Sequence, residues 1–236
     1  MARILVTDGE RRSSLAVVRS LGKAGHEVHV LSYGGRSLAG ASRHCRAEHR
    51  VPDPARSASA HEEAVDRLVA RRDIEVVVPT TDASAFLVPG LRREHPHVTV
   101  VFPAYEAYRE ASDKRRVLEL ASELGIPTPR QIVLERRAFH ERGAPRHLDR
   151  LGYPLVLKPH RSVVRARDRI VQVAVRGARS RAELGGVLGG FPAPAWPILA
   201  QERIAGAGLG VFLLVHRGRT VAAFAHRRLR EKPPTG

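Results

Sequence analysis

Two lysines are the candidate phosphate ligands of this chain. Its 40 basic residues include only four lysines, at positions 23, 114, 158 and 232, and the rest are arginines. Lys158 ends the apolar segment Leu155–Leu157, where a buried ammonium group is costly unless an anion meets it. Lys114 lies in the first turn of a predicted helix, where free N–H groups and the helix dipole favour an anion. We predict that both bind phosphate; the alternative is that Lys114 is solvated and Lys158 extends to water.

The segment Gln201–Ile204 is a candidate site for a nucleotide base. It ends a predicted strand and precedes a glycine-rich turn. Backbone N–H and C=O groups are left unpaired at such a junction and can hydrogen-bond the edge of an adenine. The alternative is an ordinary edge strand.

Thr80, Thr81 and Asp82 are candidate contacts for a small polar substrate. They follow Ile74–Pro79, a predicted strand, and ligands of open α/β sheets bind beyond the carboxyl ends of the strands. Thr81 or Asp82 could equally be the N-cap of the next helix.

The pattern of apolar residues predicts the elements that position these candidates. Strand, helix and strand follow one another over residues 2–33, which indicates a βαβ unit and a parallel sheet. Residues 1–103 are therefore expected to form a three-layer α/β domain of Rossmann-like type. Residues 104–236 are strand-rich with antiparallel character, and His160–Arg169 is expected to be an arginine-rich loop. The other predicted elements are strands near 49–51 and at 98–102, 131–134, 155–158, 170–175, 198–204, 211–215 and 220–225, and helices at 58–71, 82–94, 105–124 and 180–188.

Several other site types are disfavoured by the sequence. Only Gly9 follows the first strand, so the G-x-G-x-x-G dinucleotide fingerprint is missing, and Asp8 and Glu10 would repel phosphate there. A P-loop is also missing. His44, Cys45 and His49 offer fewer ligands than a zinc site needs, and no metal ligand is predicted.

The chain is strongly basic, with a net charge of +16, which raises the alternative of nucleic-acid binding. The arginines form no dominant block, and aromatic residues for base stacking make up only 5% of the chain, so we expect no nucleic-acid partner. The sequence contains no membrane-spanning run or signal peptide and has a single cysteine, and we expect a cytoplasmic protein without a membrane partner.

The ordered motifs resemble the ATP-grasp superfamily, in particular carboxylate–amine ligases akin to the carbamoyl-phosphate synthase large chain and biotin carboxylase. The motifs are S-D-K opening a helix, then L-G-I-P-T-P, Y-P-L-V-L-K-P, A-Q-E-R-I-A-G and finally F-A-H-R-R-L-R-E-K-P-P-T-G. The resemblance covers nearly the whole chain. It implies α/β architecture, with a Rossmann-like pre-ATP-grasp domain at 1–103 and an incomplete α+β ATP-grasp domain at 104–236.

The resemblance also implies roles for individual residues. Lys114 and Lys158 would contact ATP phosphates, and the loop after Lys158 would fold over the triphosphate, although arginines replace the glycines common in the family. Gln201, Glu202 and Ile204 would line the adenine, and His226, Arg227 and Arg228 would face the transferring phosphoryl group. ATP and Mg²⁺ would be the cofactors, with the metal ligands expected downstream of this chain.

The resemblance thus implies that the chain is an ATP-binding fragment of a ligase. Its parent would activate a small carboxylate as an acyl phosphate for attack by an amine or similar nucleophile. A non-catalytic module that binds a nucleotide, or nucleic acid through a basic surface, is the alternative.

Overall fold

The structure is a computed structural model that describes residues 1–230. Lys232 lies outside the described residues. The chain forms two compact units that divide between Glu202 and Arg203.

The first unit contains two main sheets and the helices that cover them. Its strands are β1 (Arg3–Val6), β2 (Glu27–Ser32), β3 (Ala47–Arg50), β4 (Val76–Val78), β5 (Thr99–Val100), β6 (Gln131–Leu134), β7 (Leu155–Pro159), β8 (Val163–Ala166), β9 (Arg169–Gln172), β10 (Arg176–Ala178) and β11 (Ile198–Glu202). Its helices are α1 (Arg12–Lys23), α2 (Ala58–Arg71), α3 (Val88–Glu94), α4 (Tyr105–Ser112), α5 (Lys114–Glu123), α6 (Arg136–Arg142) and α7 (Arg181–Gly189), with 3₁₀ turns at Ser84–Leu87, Arg146–Leu151 and Ala193–Ala195.

The first sheet is parallel, with the strand order β3-β2-β1-β4-β5. Alternate residues of β1 enter opposite cores: Ile4 and Val6 pack with Val18 of α1, and Leu5 packs with Val65 of α2 and residues of α3. Helices therefore cover both faces of the sheet, which confirms the predicted three-layer, Rossmann-like architecture.

Gly9 is needed for packing at the end of β1. A Cβ atom at this position would lie 2.5 Å from the Ser37 hydroxyl oxygen and 2.6 Å from a methyl group of Val30. This close approach accounts for a lone glycine without invoking a dinucleotide.

The second sheet is antiparallel, with the order β10-β7-β11-β6. One face packs Leu155, Leu157, Ile198 and Ala200 into a core that also contains Leu184 of α7. The antiparallel character predicted for this half is confirmed, but β11 ends at Glu202, two residues earlier than predicted, and it is an internal strand rather than an edge strand.

The arginine-rich segment 160–169, predicted to be a loop, forms part of a hairpin instead. Strand β8 pairs with β9, and the turn between them contains Arg167 in a left-handed conformation (φ 54°). The prediction was wrong because charged residues follow the valines at 163 and 164, so that the short strand lacks the apolar pattern by which a strand is identified. Helix α6 was also missed.

The second unit contains a hairpin of β12 (Leu209–His216) and β13 (Arg219–Arg227), as predicted in position. Several of its large apolar side chains are exposed within this unit, among them Phe212 and Phe224. No helix within residues 1–230 is long and apolar enough to cross a membrane.

Replacing Leu157 by alanine tests the core of the second sheet. Leu157 is fully buried, so the truncation should lower the free energy of unfolding by about 2–5 kcal/mol through lost apolar burial and the cavity left behind. Denaturant titration would measure it. Leu120→Ala is the matched control, since Leu120 is 55% exposed and should change stability by less than about 0.5 kcal/mol. Equal effects of the two substitutions would contradict the assigned core.

Candidate nucleotide and substrate site

Lys158 projects from the face of β7 that lies opposite the leucine core. It pairs in register with Leu199 of β11, whereas the flanking Leu157 points into the core. Lys158 is half-buried, and burial lowers the pKa of its ammonium group. Among residues 1–230 the Lys158 Nζ atom has no hydrogen-bond or ion-pair partner. A half-buried cation without a partner favours the approach of an anion.

Lys114 is brought into the same region by the start of α5. Its backbone N–H donates to the carbonyl of His160 (2.9 Å), and its Nζ donates to the Ser162 hydroxyl (2.9 Å). Burial is the main cause that lowers the pKa of Lys114; the charge of Lys158 also lowers it, while Asp82 raises it. The two lysines are thus close enough to repel each other.

Gln201 and Glu202 are held by internal contacts. The Gln201 amide is buried and donates to Gln131 Oε1 (2.9 Å). The Glu202 carboxylate accepts from the backbone N–H and the Nε of Arg130 (2.8 and 2.7 Å), and these bonds lower its pKa. The Glu202 N–H also donates to the Arg130 carbonyl, so this backbone donor is already used within the sheet. The adenine-binding role of both residues remains a prediction.

Ile204, Arg227 and Arg228 belong to the second unit, which is described by itself. Ile204 is 65% exposed. Arg227 is the last residue of β13 and pairs with Leu209, and the Arg228 N–H donates to the Gly208 carbonyl (2.7 Å). The roles of these residues, and of His226 in β13, remain predictions.

Thr80, Thr81 and Asp82 lie beyond the carboxyl end of β4. The Thr80 hydroxyl donates to the carbonyl of Thr7 and lies 3.2 Å from Asp8 Oδ2. Thr81 Oγ1 accepts from the Ser84 N–H (3.3 Å), but the N-cap of the 3₁₀ turn that follows is Ala83 and the N-cap of α3 is Leu87. Neither Thr81 nor Asp82 is therefore an N-cap. All three residues line an open cleft, which keeps the substrate-binding prediction in place.

Two clefts adjoin at this end of the parallel sheet. One has a volume of about 840 Å³ and is bordered by the loops after β1, β2 and β4. The other, of about 560 Å³, lies between α4 and the start of the β8–β9 hairpin. Asp82, Tyr108 and Val163 line both clefts, so the two are continuous.

The β8–β9 hairpin is anchored to α2 through Asp168. The Asp168 carboxylate accepts from the Ser57 and Ser59 hydroxyls (2.7 and 3.0 Å) and from the Ser59 N–H (2.8 Å) at the start of α2. These bonds, the one from Ser57 foremost, lower the pKa of Asp168. Arg165 adds an ion pair to Glu62 (2.7 Å). The hairpin that was expected to cover the triphosphate is therefore fixed to the first sheet's layer of helices.

The described residues offer no preformed metal centre. No group of three His, Cys, Asp or Glu side chains within residues 1–230 could hold a metal ion. His44, Cys45 and His49 are therefore not gathered into such a group.

The sequence matches no protein-family model and no curated protein. Solved structures do match. The L-amino acid ligase from Bacillus licheniformis matches with a TM-score of 0.65 at 14% identity, over 96% of this chain and 49% of that one. The N5-carboxyaminoimidazole ribonucleotide synthetase from Thermotoga maritima matches with a TM-score of 0.63 at 16% identity, over 100% of this chain and 58% of that one.

A third match is the biotin carboxylase domain of the Hydrogenobacter thermophilus 2-oxoglutarate carboxylase, solved with MgADP, ADP and bicarbonate (TM-score 0.60, 16% identity, 89% of this chain and 46% of that one). The chain has the ATP-grasp fold. It spans about half the length of these ATP-grasp enzymes. The match confirms the predicted fold class, whereas identities this low leave the activity to be proposed.

Sequence reasoning missed several residues that line the clefts. Asp8 and Tyr33 follow β1 and β2, and their side chains hydrogen-bond each other. Tyr108 donates to Asp82 (3.1 Å), and Arg161 lies 3.4 Å from Asp113. The rule that located Thr80 also locates Asp8 and Tyr33, since all three follow parallel strands at one edge of the sheet.

Replacing Asp168 by alanine tests the anchor of the hairpin. Without the Asp168 carboxylate, the donors of Ser57 and Ser59 at the start of α2 lose their acceptor. Amide hydrogen exchange at Ser59 and in β8 and β9 should then rise by roughly tenfold, because opening the hairpin breaks fewer bonds. Asp168→Asn, which keeps one acceptor oxygen, should lie between alanine and the wild type. Unchanged exchange in the alanine variant would contradict the anchor.

Proposed function

We propose that this chain binds ATP and forms part of a ligase that activates a carboxylate. The observation that carries the proposal is the half-buried ammonium group of Lys158, which has no partner among residues 1–230 and lies in electrostatic range of Lys114. Two neighbouring cations, of which Lys158 has no partner among residues 1–230, favour a polyanion such as a triphosphate. The fold shared with an L-amino acid ligase, and with a biotin carboxylase domain solved with MgADP and bicarbonate, supports the choice of ATP.

In this proposal each part of the site has a distinct task. ATP would supply the phosphoryl group that turns the carboxylate into an acyl phosphate, which an amine then attacks. Lys114 and Lys158 would neutralise negative charge on the phosphates, and Ser162 would keep Lys114 oriented. The anchored hairpin would limit the access of water to the phosphates.

The remaining predicted residues complete the proposal. The backbone beyond Glu202, with Ile204, would contact the adenine, and Gln201 would support it from within the sheet. Arg227 and Arg228 would approach the transferring phosphoryl group. Mg²⁺ would accompany the bound ATP.

Replacing Lys158 by alanine tests the proposal. The variant should bind ATP at least about tenfold more weakly, a change of about 1.4 kcal/mol, because one charge-assisted contact to phosphate is lost. Isothermal titration with ATP would measure it. Lys23→Ala is the matched control, since Lys23 is an exposed lysine at the end of α1 and should leave the affinity unchanged. Equal affinity in the wild type and the Lys158→Ala variant would overturn the role of Lys158.

The pH dependence of ATP binding offers a second test. Burial lowers the pKa of Lys158 and of Lys114 below the ordinary lysine value of 10.5, so the charged form is lost at a lower pH than for a solvated lysine. Affinity for ATP should therefore fall as pH rises toward the lowered pKa. In a Lys158→Arg variant the fall should shift to higher pH, because arginine stays charged. Identical alkaline profiles in the two proteins would contradict this assignment.

A non-catalytic module that binds through its basic surface is the second candidate, favoured by the net charge of +16. Affinity for nucleic acid should fall steeply with added salt, because neutralised phosphates release counterions, and it should not depend on Lys158. The Lys158 and Lys23 variants thus separate the two candidates in one set of titrations.

A further inference from the structure

The smaller of the two clefts combines aromatic and basic side chains. Its volume is about 560 Å³, which is within the usual range of small-molecule sites. Phe86, Tyr105 and Tyr108 line one part of it, and Arg109 and Arg161 line another. A cleft that offers flat apolar surface beside positive charge fits a ligand with an apolar ring and an anionic group.

Helix α4 supplies the aromatic wall of this cleft. Tyr105 and Tyr108 are one helical turn apart, so both rings lie on the same side of α4, with their centroids 6.1 Å apart and their planes tilted by 32°. Phe102 packs against Tyr108, with 4.9 Å between the ring centroids. Val163 and Val164 of β8 add aliphatic surface to the cleft. A planar ring gains most from such a wall, because aromatic pairs favour stacked and edge-to-face contacts.

Arg109 supplies a positive charge that the described part of the chain does not compensate. It follows Tyr108 on α4 and is exposed at the cleft. Its guanidinium group has no hydrogen-bond or ion-pair partner among residues 1–230. The unused N–H donors of an arginine favour an anion that two of them can bind at once, as a carboxylate can be bound.

Arg161 is held beside Arg109 in a fixed orientation. Its guanidinium group donates to the Arg109 carbonyl (3.2 Å) and to His160 Nε2 (3.3 Å), and lies 3.4 Å from Asp113. His160 Nδ1 donates to the Ala195 carbonyl (3.1 Å), which leaves Nε2 of the neutral ring as the acceptor. The Arg161 Nε atom is buried and has no acceptor among the described residues. The cleft therefore contains an oriented guanidinium group whose donors are not all satisfied.

The basic part of the cleft adjoins the predicted phosphate-binding lysines. Ser162 follows Arg161, lines the cleft and accepts from Lys114 Nζ (2.9 Å). Asp82 is the one carboxylate that lines this cleft, and its charge acts on Lys114. The Asp82 carboxylate also accepts from the Tyr108 hydroxyl (3.1 Å). An anion bound by the two arginines would thus lie on the side of the cleft where we propose that the phosphates bind.

From this arrangement we infer that the activated substrate is an aromatic acid, in which a planar ring bears the carboxylate directly or through a short link. The inference rests on the proposed function. The ring packs against Tyr105 and Tyr108, and the carboxylate binds Arg109 and Arg161. An aliphatic acid of the same charge would satisfy the arginines but would make poorer contact with the aromatic wall.

The test is ligand-observed NMR on the 236-residue chain, with and without a non-hydrolysable ATP analogue and Mg²⁺. The probes are benzoate, phenylacetate and cinnamate, the neutral amide of each, and cyclohexanecarboxylate. At least one aryl acid should bind in both conditions. Its amide, which keeps the ring but lacks the charge, should bind at least about tenfold more weakly. Cyclohexanecarboxylate, which keeps the charge but lacks a planar ring, should bind about threefold or more weakly than that acid.

Two variants assign the two halves of the ligand to the cleft. Arg109→Gln removes the guanidinium charge and should weaken binding of the aryl acid by about threefold to tenfold. Tyr105→Leu keeps an apolar side chain but removes the flat ring, and it should weaken binding of the aryl acid more than that of cyclohexanecarboxylate. Arg136→Gln is the matched control, since Arg136 is exposed at the start of α6 and lines neither cleft. Affinity for ATP should be the same in all three variants, which also checks that each is folded.

The outcomes separate this inference from the proposed function. If ATP binding depends on Lys158 but no aryl acid binds, or the amide or cyclohexanecarboxylate binds as well as the acid, the aromatic-acid assignment is overturned and the proposed function stands. Displacement of the aryl acid by the ATP analogue, or weaker ATP binding in the Arg109→Gln variant, would assign the cleft to the nucleotide and overturn the inference in the same way. If ATP binding does not depend on Lys158, the proposed function is overturned instead.

Discussion

The placement of Lys158 on an internal strand of the second sheet constrains the rest of the site. Its strand, β7, buries Leu155 and Leu157 on one face and must therefore present Lys158 on the other, because side chains alternate along a strand. The second sheet thus holds an ammonium group in a half-buried position at a cost in solvation. An anionic ligand would offset that cost and would also reduce the repulsion between Lys158 and Lys114.

The residues around the lysine pair are fixed by bonds between distant parts of the chain. The start of α5 is tied to His160, just beyond β7, and the β8–β9 hairpin is tied to the start of α2 by Asp168. Each contact uses the free N–H groups of a helix N-terminus, the part of a helix that most needs acceptors. The surface that we propose to bind phosphate and the walls of the two clefts are therefore positioned by the same few contacts within the first unit.

The local sequence pattern was enough to predict the two sheets and the position of Lys158 on a buried strand. It was not enough to predict the long-range contacts that join the parts of the site. The parallel sheet followed from short apolar runs separated by helical spacing, and Lys158 from a rare lysine after such a run. The clamp of Glu202 by Arg130 could not be foreseen, since 72 residues separate the two. The β8–β9 hairpin was not predicted because its arginines suggested a loop. One of them, Arg165, pairs with Glu62, which lies 103 residues away in the sequence. Such pairings depend on tertiary structure, which a one-dimensional pattern does not encode.

The negative charge of Asp8 and Glu10 has two consequences. In the sequence it disfavours the binding of a dinucleotide after β1. The structure places them with Asp53 and Asp82 around one cleft, so that charges spread over 75 residues act on the same volume. The cleft opens into one lined by Arg109 and Arg161. Because the four carboxylates come from three separate loops, their shared placement is a property of the folded first unit and is not visible in any one stretch of sequence.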